Sequence, residues 1–179
     1  LGSDQSKFIK KHRLSLHVLS EGEFIRSADI FPMEYIDIQE TGSVLFGAHI
    51  PEQLTITMRN LRHQVEERLR GNINAMRQAL IASRGSSRLL SQLLRESYGT
   101  LLAPLRGLLH LSSRTESGSA SEADGGESLH QGGELELLSR IEETFGVDTT
   151  ALREVYTFRE GGRTDAKRLA VNTVHFLTA

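Results

Sequence analysis

The sequence predicts an α+β protein, a short N-terminal strand-helix-strand region followed by an antiparallel helical bundle. Two patterns carry that reading. Apolar residues recur every three or four positions at Met58, Leu61, Val65, Leu69, Ile73, Met76 and Leu80, the stripe of one long amphipathic helix. Upstream, Leu14-Ser15-Leu16-His17-Val18-Leu19 alternates apolar and polar side chains before turning apolar, the period of a strand with a buried face.

Each element has its own signals. Lys7, Lys10, Lys11 and Arg13 lead into the first predicted strand. Glu21 to Ile30 reads as a short helix, acidic in its first turn and ended by Pro32. Met33 to Ile38 and Val44-Leu45-Phe46, on either side of Thr41-Gly42-Ser43, read as two short strands or as one strand and its continuation. Residues 1–50 are thus the strand-containing region.

Residues 51–111 are expected to form a long antiparallel helix pair. Leu54-Thr55-Ile56 is extended, Thr57 is placed to cap the first helix, and Gly85 to stop it near Ser83. Ser86 or Ser87 then caps a leucine-rich second helix that Pro104 should kink or divide. So short a connection makes the two helices antiparallel neighbours. Residues 112–133, rich in Ser, Gly and Glu with Leu129 as their one large apolar side chain, read as a mobile loop. Residues 134–179 complete the bundle with three helices: Glu134 to Phe145 stopped by Gly146, one capped by Asp148 or Thr149, and one opened by Thr164 or Asp165.

Composition narrows the chemistry. The 179 residues include no cysteine, which removes disulfides, thiolate metal sites and thiol nucleophiles. No apolar run approaches a bilayer span and the N-terminus has no apolar signal core, so a cytoplasmic protein with no membrane partner is expected. Leu1-Gly2-Ser3 in place of an initiator Met suggests a chain that is part of a longer product. The net charge of −2 divides into +3 up to Leu111 and −5 beyond it. Between Met58 and Arg106 nine Arg face three Glu with no Lys, which suits phosphate or carboxylate ligands and equally suits a solvated basic face.

Two groups of residues could carry chemistry. Glu34 and Asp37 lie on the predicted acidic strand, where odd and even positions face opposite ways, so only one of them could join a given site. A carboxylate between apolar neighbours can aim a hard oxygen at Mg²⁺, and it can equally be an edge-strand charge. On the long helix Arg62, Glu66 and Arg70 stand four apart, with Arg59 and His63 nearby. They form either an ion-paired surface ladder or a partly buried arginine line, facing the strand region, that holds phosphate. Gly71 in mid-helix suggests another backbone passing close by. The seven histidines show no ligand spacing, and neither a Gly-x-Ser-x-Gly elbow nor a Gly-x-x-x-x-Gly-Lys loop occurs.

The runs Glu23 to Ile38, Val44-Leu45-Phe46-Gly47 and Leu61-Arg62-His63-Gln64-Val65-Glu66-Glu67-Arg68-Leu69-Arg70-Gly71 resemble a group of bacterial proteins. That group belongs to the polymerase-beta-like nucleotidyltransferase superfamily and carries an appended helical domain. The resemblance extends more loosely through Phe145-Gly146-Val147-Asp148 to Arg159-Glu160-Gly161. It implies nucleotidyl transfer from a Mg²⁺-bound triphosphate to an acceptor. Asp37, with Glu34 as a competing match, would be the catalytic and metal-binding carboxylate, and Arg59, Arg62, Glu66 and Arg70 would bind substrate. The superfamily's Gly-Ser turn and paired-carboxylate strand have no persuasive counterpart. Either the catalytic half lies upstream or the site has decayed, and this chain by itself is expected to be inactive. The alternative is a non-catalytic helical module that dimerises or docks a partner. Nucleic acid is a weaker expectation, since the chain is acidic overall and has few aromatics to stack on bases.

Overall fold

The computed structural model describes residues 3–12, 14–116 and 133–178. In chain order its helices are α1 (Ser3–Lys11), α2 (Glu21–Ser27), α3 (Pro32–Thr41), a 3-10 turn at Pro51–Gln53, α4 (Met58–Ala82), α5 (Ser87–Glu116), α6 (Glu134–Phe145), α7 (Thr150–Arg159) and α8 (Ala166–Phe176). There is no strand among the described residues, so the expected α+β class is corrected to all-α.

Each supposed strand fails for its own reason. Residues 14–20 form no regular element, and no backbone hydrogen bond ties residues 15–19 to another described segment. An alternating pattern specifies a strand only where a neighbouring strand is there to pair with it. Met33 to Ile38 is helical. Pro32, read as the terminator of the helix before it, instead occupies the first turn of α3, where its fixed φ and missing N–H cost nothing. Val44-Leu45-Phe46 belongs to the loop that follows α3. α2 is also shorter than predicted, ending at Ser27, and begins with a capping box: the Ser20 hydroxyl oxygen accepts the Glu23 N–H, and the Glu23 carboxylate accepts the Ser20 N–H at 2.8 Å.

The helix pair is as the periodicity predicts. Val65 packs at Gly107 and Asn72 bonds to Thr100, so residue numbers rise along one helix as they fall along the other, and α4 and α5 are antiparallel. The turn between them needs left-handed backbone at Arg84 (φ 48°) and Gly85 (φ 79°). Thr57 is the N-cap of α4, but its hydroxyl makes no capping bond. α5 runs through Pro104 as one helix and continues to Glu116, taking in the first five residues of the predicted 112–133 loop; residues 117–132 lie outside the described residues. At the far end Gly146 closes α6 at φ 64°, and Asp165 caps α8 by accepting the Lys167 and Arg168 amides.

The main core is built around α5. Leu90, Leu94, Tyr98, Leu101, Leu105 and Leu109 meet Met76 of α4, Leu138 and Ile141 of α6, Leu152 and Val155 of α7, and Leu169 of α8. Each fully buried leucine contributes about 1.5–3 kcal/mol, which makes this cluster the main source of stability. A second, smaller core joins Met33 and Ile36 of α3 to Leu61 and Val65 of α4. A third gathers Ala28, Tyr35 and Leu54, with the Phe24 ring 4.8 Å from that of Tyr35. The leucine face of α5 is therefore spent inside the bundle.

Candidate functional site

On α3, Glu34 and Asp37 point to different neighbours. Gln64, buried on α4, clips the N-terminus of α3: its Oε1 accepts the Met33 N–H at 2.8 Å and its Nε2 donates to Glu34 Oε2 at 2.7 Å. Arg68 stands 3.4 Å from the other Glu34 oxygen. Glu34 thus sits where a carboxylate complements a helix N-terminus and satisfies a buried amide. Asp37 is half-buried and lines a cleft between α3 and α5 with Glu40, Arg106 and His110, the Glu40 carboxylate lying 3.5 Å from His110 Nδ1.

That arrangement does not fit the Mg²⁺ the resemblance implies. The cleft beside Asp37 measures about 10 Å³, the space of roughly one water, whereas Mg²⁺ keeps several of its waters. Glu34 is turned toward Gln64 and Arg68. Among the described residues no three His, Asp or Glu side chains are grouped to hold a metal.

The arginine line lies elsewhere. Arg59, Arg62, Glu66 and Arg70 lie about 160–240° around α4 from Gln64 at 3.6 residues per turn, on the side turned away from α3. Arg62 Nε donates to Glu66 Oε1 at 2.9 Å, and Arg70 stands 3.9 Å from Glu66 Oε2. The Arg62 and Arg70 side chains are 74% and 79% exposed. The bond from Arg62 holds the Glu66 carboxyl below the usual carboxylate range, and the charges of Arg70 and His63 add to it. Of the two readings open for this line, the ion-paired surface ladder is the one found and the partly buried phosphate line is not, and the ladder does not converge with Glu34 or Asp37. Nor does a backbone pass near Gly71, where an added Cβ would meet nothing.

Two features went unread in the sequence. Tyr98 of α5, Glu134 of α6 and Arg159 of α7 meet in space: Arg159 stands 3.1 Å from Glu134 and stacks 4.8 Å from the Tyr98 ring centre. Arg95 donates to the Arg159 carbonyl at 3.0 Å while lying 4.4 Å over the Phe158 ring. The Tyr98 hydroxyl is buried, with Glu134 near it but no partner at hydrogen-bonding geometry. Burial first, and the Glu134 carboxylate second, push its phenol well above the ordinary range. These residues are 36 and 25 positions apart, and no local pattern announces them.

The second lies in two of the three segments whose pattern predicts strands, 14–19 and 44–46, where the apolar side chains are largely at the surface: Val18 is 84% exposed, Leu45 96% and Phe46 99%, with Leu14, Leu16 and Leu19 about half exposed or more. Isolated surface leucines need no explanation, but runs of bulky apolar residues outside any packed element are uncommon on a protein surface.

No helix among the described residues is long and apolar enough to cross a membrane. No known family, curated protein or solved structure matches the chain.

Proposed function

We propose that this chain is a docking module: a helical bundle that serves as a rigid base and presents apolar segments 14–19 and 42–50 to another protein. The exposure of Val18, Leu45 and Phe46 supports the reading most directly. Such side chains are anchors when a partner's pocket desolvates them and a liability otherwise. Among the described residues the backbone of residues 15–19 has no hydrogen-bond partner, which adds to it, because an apolar-polar alternation of that kind can join the edge of a partner's sheet.

Nucleotidyl transfer, the activity implied by the resemblance, gains no support from the geometry, since Glu34, Asp37 and the Arg59-Arg62-Arg70 line serve separate surfaces. Side-chain footprinting tests the docking reading. The chain is labelled in its own cells and again as dilute purified protein. Leu16, Val18, Leu45 and Phe46 should be protected in the cell while Ile81, exposed on α4, labels equally in both. Equal labelling at all five positions, or a Mg²⁺-nucleotide affinity lost in both Asp37→Ala and Arg62→Ala, would overturn it.

A further inference from the structure

The segment from Leu14 to Leu19 is held at both ends. The Leu14 N–H bonds to the Ile9 carbonyl at 3.0 Å, closing the C-terminus of α1, and the capping box at Ser20 opens α2 directly behind Leu19. Between these anchors the side chains alternate in space as they do in sequence. The Ser15 hydroxyl lies 3.3 Å from His17 Nε2, so these two share one side of the chain and leave Leu14, Leu16 and Val18 for the other. Every residue from Leu14 to Leu19 is exposed, and among the described residues the backbone of 15–19 has no hydrogen-bond partner.

The charges that flank this segment are opposite in sign. Lys10 and Lys11 close α1, with Arg13 soon after them in the sequence, and Glu21 and Glu23 open α2. Glu23 is engaged by the capping box at 2.8 Å. Lys11 and Glu21 are exposed, and neither is ion-paired among the described residues. From its N-terminal to its C-terminal end the segment is thus basic, then apolar along one side, then acidic.

Resting on the docking reading above, we infer that segment 14–19 pairs with the same segment of a second copy of the chain, antiparallel about a two-fold axis at Leu16. An antiparallel partner must be acidic where this chain is basic, basic where it is acidic, and apolar between; the chain itself, turned end for end, has that pattern. With Leu16 opposite Leu16 of the second copy, Leu14 stands opposite Val18, Ser15 opposite His17 and Lys11 opposite Glu21, and each unlike pair occurs twice, as an isologous contact requires. A slip of one residue would set Leu16 against Ser15 or His17, and a slip of two would leave an apolar residue without an apolar partner. The backbone hydrogen bonds supply the attachment, and the Lys11–Glu21 pairs, worth ~0.2–1 kcal/mol each, select the register. The segment is a strand only in the pair, which agrees with its irregular backbone in the single chain. Six residues a side is well short of the roughly 20–30 of a standard interface, so the dimer is weak and reversible.

Sedimentation of the full chain over a hundredfold concentration range tests this. The weight-average mass should rise from 19.9 kDa toward twice that value. Lys11→Glu and Glu21→Lys, both at exposed positions, replace two attractive pairs with two repulsive ones, and each should weaken the dimer by about tenfold or more. An equimolar mixture of the two variants, and the chain carrying both substitutions, restore opposite signs across the axis and should recover it. Ile81→Ser should leave self-association unchanged. Since the chain has no cysteine, Leu16→Cys sets two thiols opposite one another within reach of a disulfide, and should cross-link under mild oxidation at several times the yield of Ser15→Cys. A monomer at every concentration, a dimer indifferent to both charge reversals, a mixture that fails to recover, or equal cross-linking at positions 15 and 16 overturns the inference. In-cell protection of Leu16 and Val18 alongside such a result would retain the docking reading with a different partner. A monomer together with equal labelling in cells and in dilute solution would remove both.

Discussion

The Asn72 side-chain amide donates to the Thr100 carbonyl at 3.0 Å, the acceptor that Pro104, four residues further along α5, has no N–H to serve. A proline in mid-helix was expected to kink or divide α5, yet α5 spans Ser87 to Glu116 as one element. Asn72 supplies from α4 the hydrogen bond that α5 cannot make for itself. Asn72→Leu should lower stability by about 1 kcal/mol and much less in a Pro104→Ala background, where the new N–H reaches Thr100. Denaturant titration of the four proteins in this double-mutant cycle measures the coupling; equal losses in both backgrounds would contradict the role given to Asn72.

Gln64 is the comparable contact between α3 and α4. Gln64→Leu fills the same volume but strands the Met33 N–H and removes the donor to Glu34. We expect a loss of about 2 kcal/mol, seen as a melting temperature lower by roughly 4–8 °C. Glu34→Gln should cost much less, because Glu34 is nearly half exposed and water can replace it.

Two glycines should respond in opposite ways to alanine. At Gly71 an added methyl meets nothing, so Gly71→Ala should stabilise α4 by about 1 kcal/mol. At Gly107 an added Cβ would lie 2.5 Å from Val65 Cγ2 and 3.3 Å from Met33 Sδ. Val65 is fully buried and stiff at χ1, so Gly107→Ala should cost about 1–3 kcal/mol. Thermal melts of the pair check both signs.

Tyr98 predicts an alkaline weakness. Its phenol is raised in the folded chain by burial and by Glu134, whereas the unfolded phenol titrates near ~10. The folded state thus holds a proton that the unfolded state releases, so this contribution is complete below about pH 10 and is lost as the pH rises further. Tyr98→Phe should flatten that decline and leave neutral-pH stability equal or higher, since it deletes a buried hydroxyl that has no bonding partner. A steep drop at pH 7 would show instead that Tyr98 bonds to Glu134.

The readable parts of the sequence were those whose signals are local. The stripe from Met58 to Leu80 gave α4 to within a residue, and Gly146 and Asp165 marked real helix ends. Pairing and packing were not local. Leu14 to Leu19 has the alternation of a strand, but alternation does not reveal whether a partner strand exists. Pro32 carried two opposite meanings, the end of one helix and the first turn of the next, and the packing of Met33 and Ile36 on Leu61 and Val65 decided between them. Among the candidate site residues, the ion-paired ladder of Arg62, Glu66 and Arg70 was legible from four-residue spacing. Gln64, which engages Glu34, was not, because only tertiary contact brings them together.

Amide hydrogen exchange of the dilute chain is the most direct test of the central claim, that apolar segments 14–19 and 42–50 stand outside an all-helical bundle. Amides of residues 15–19 and 43–46 should exchange within seconds, close to unstructured rates, while those of Leu94, Leu101 and Leu138 require global opening. Protection at residues 15–19 or 43–46 matching that of α4 would mean that they are paired in a sheet after all, and would contradict both the fold and the docking surface built on it.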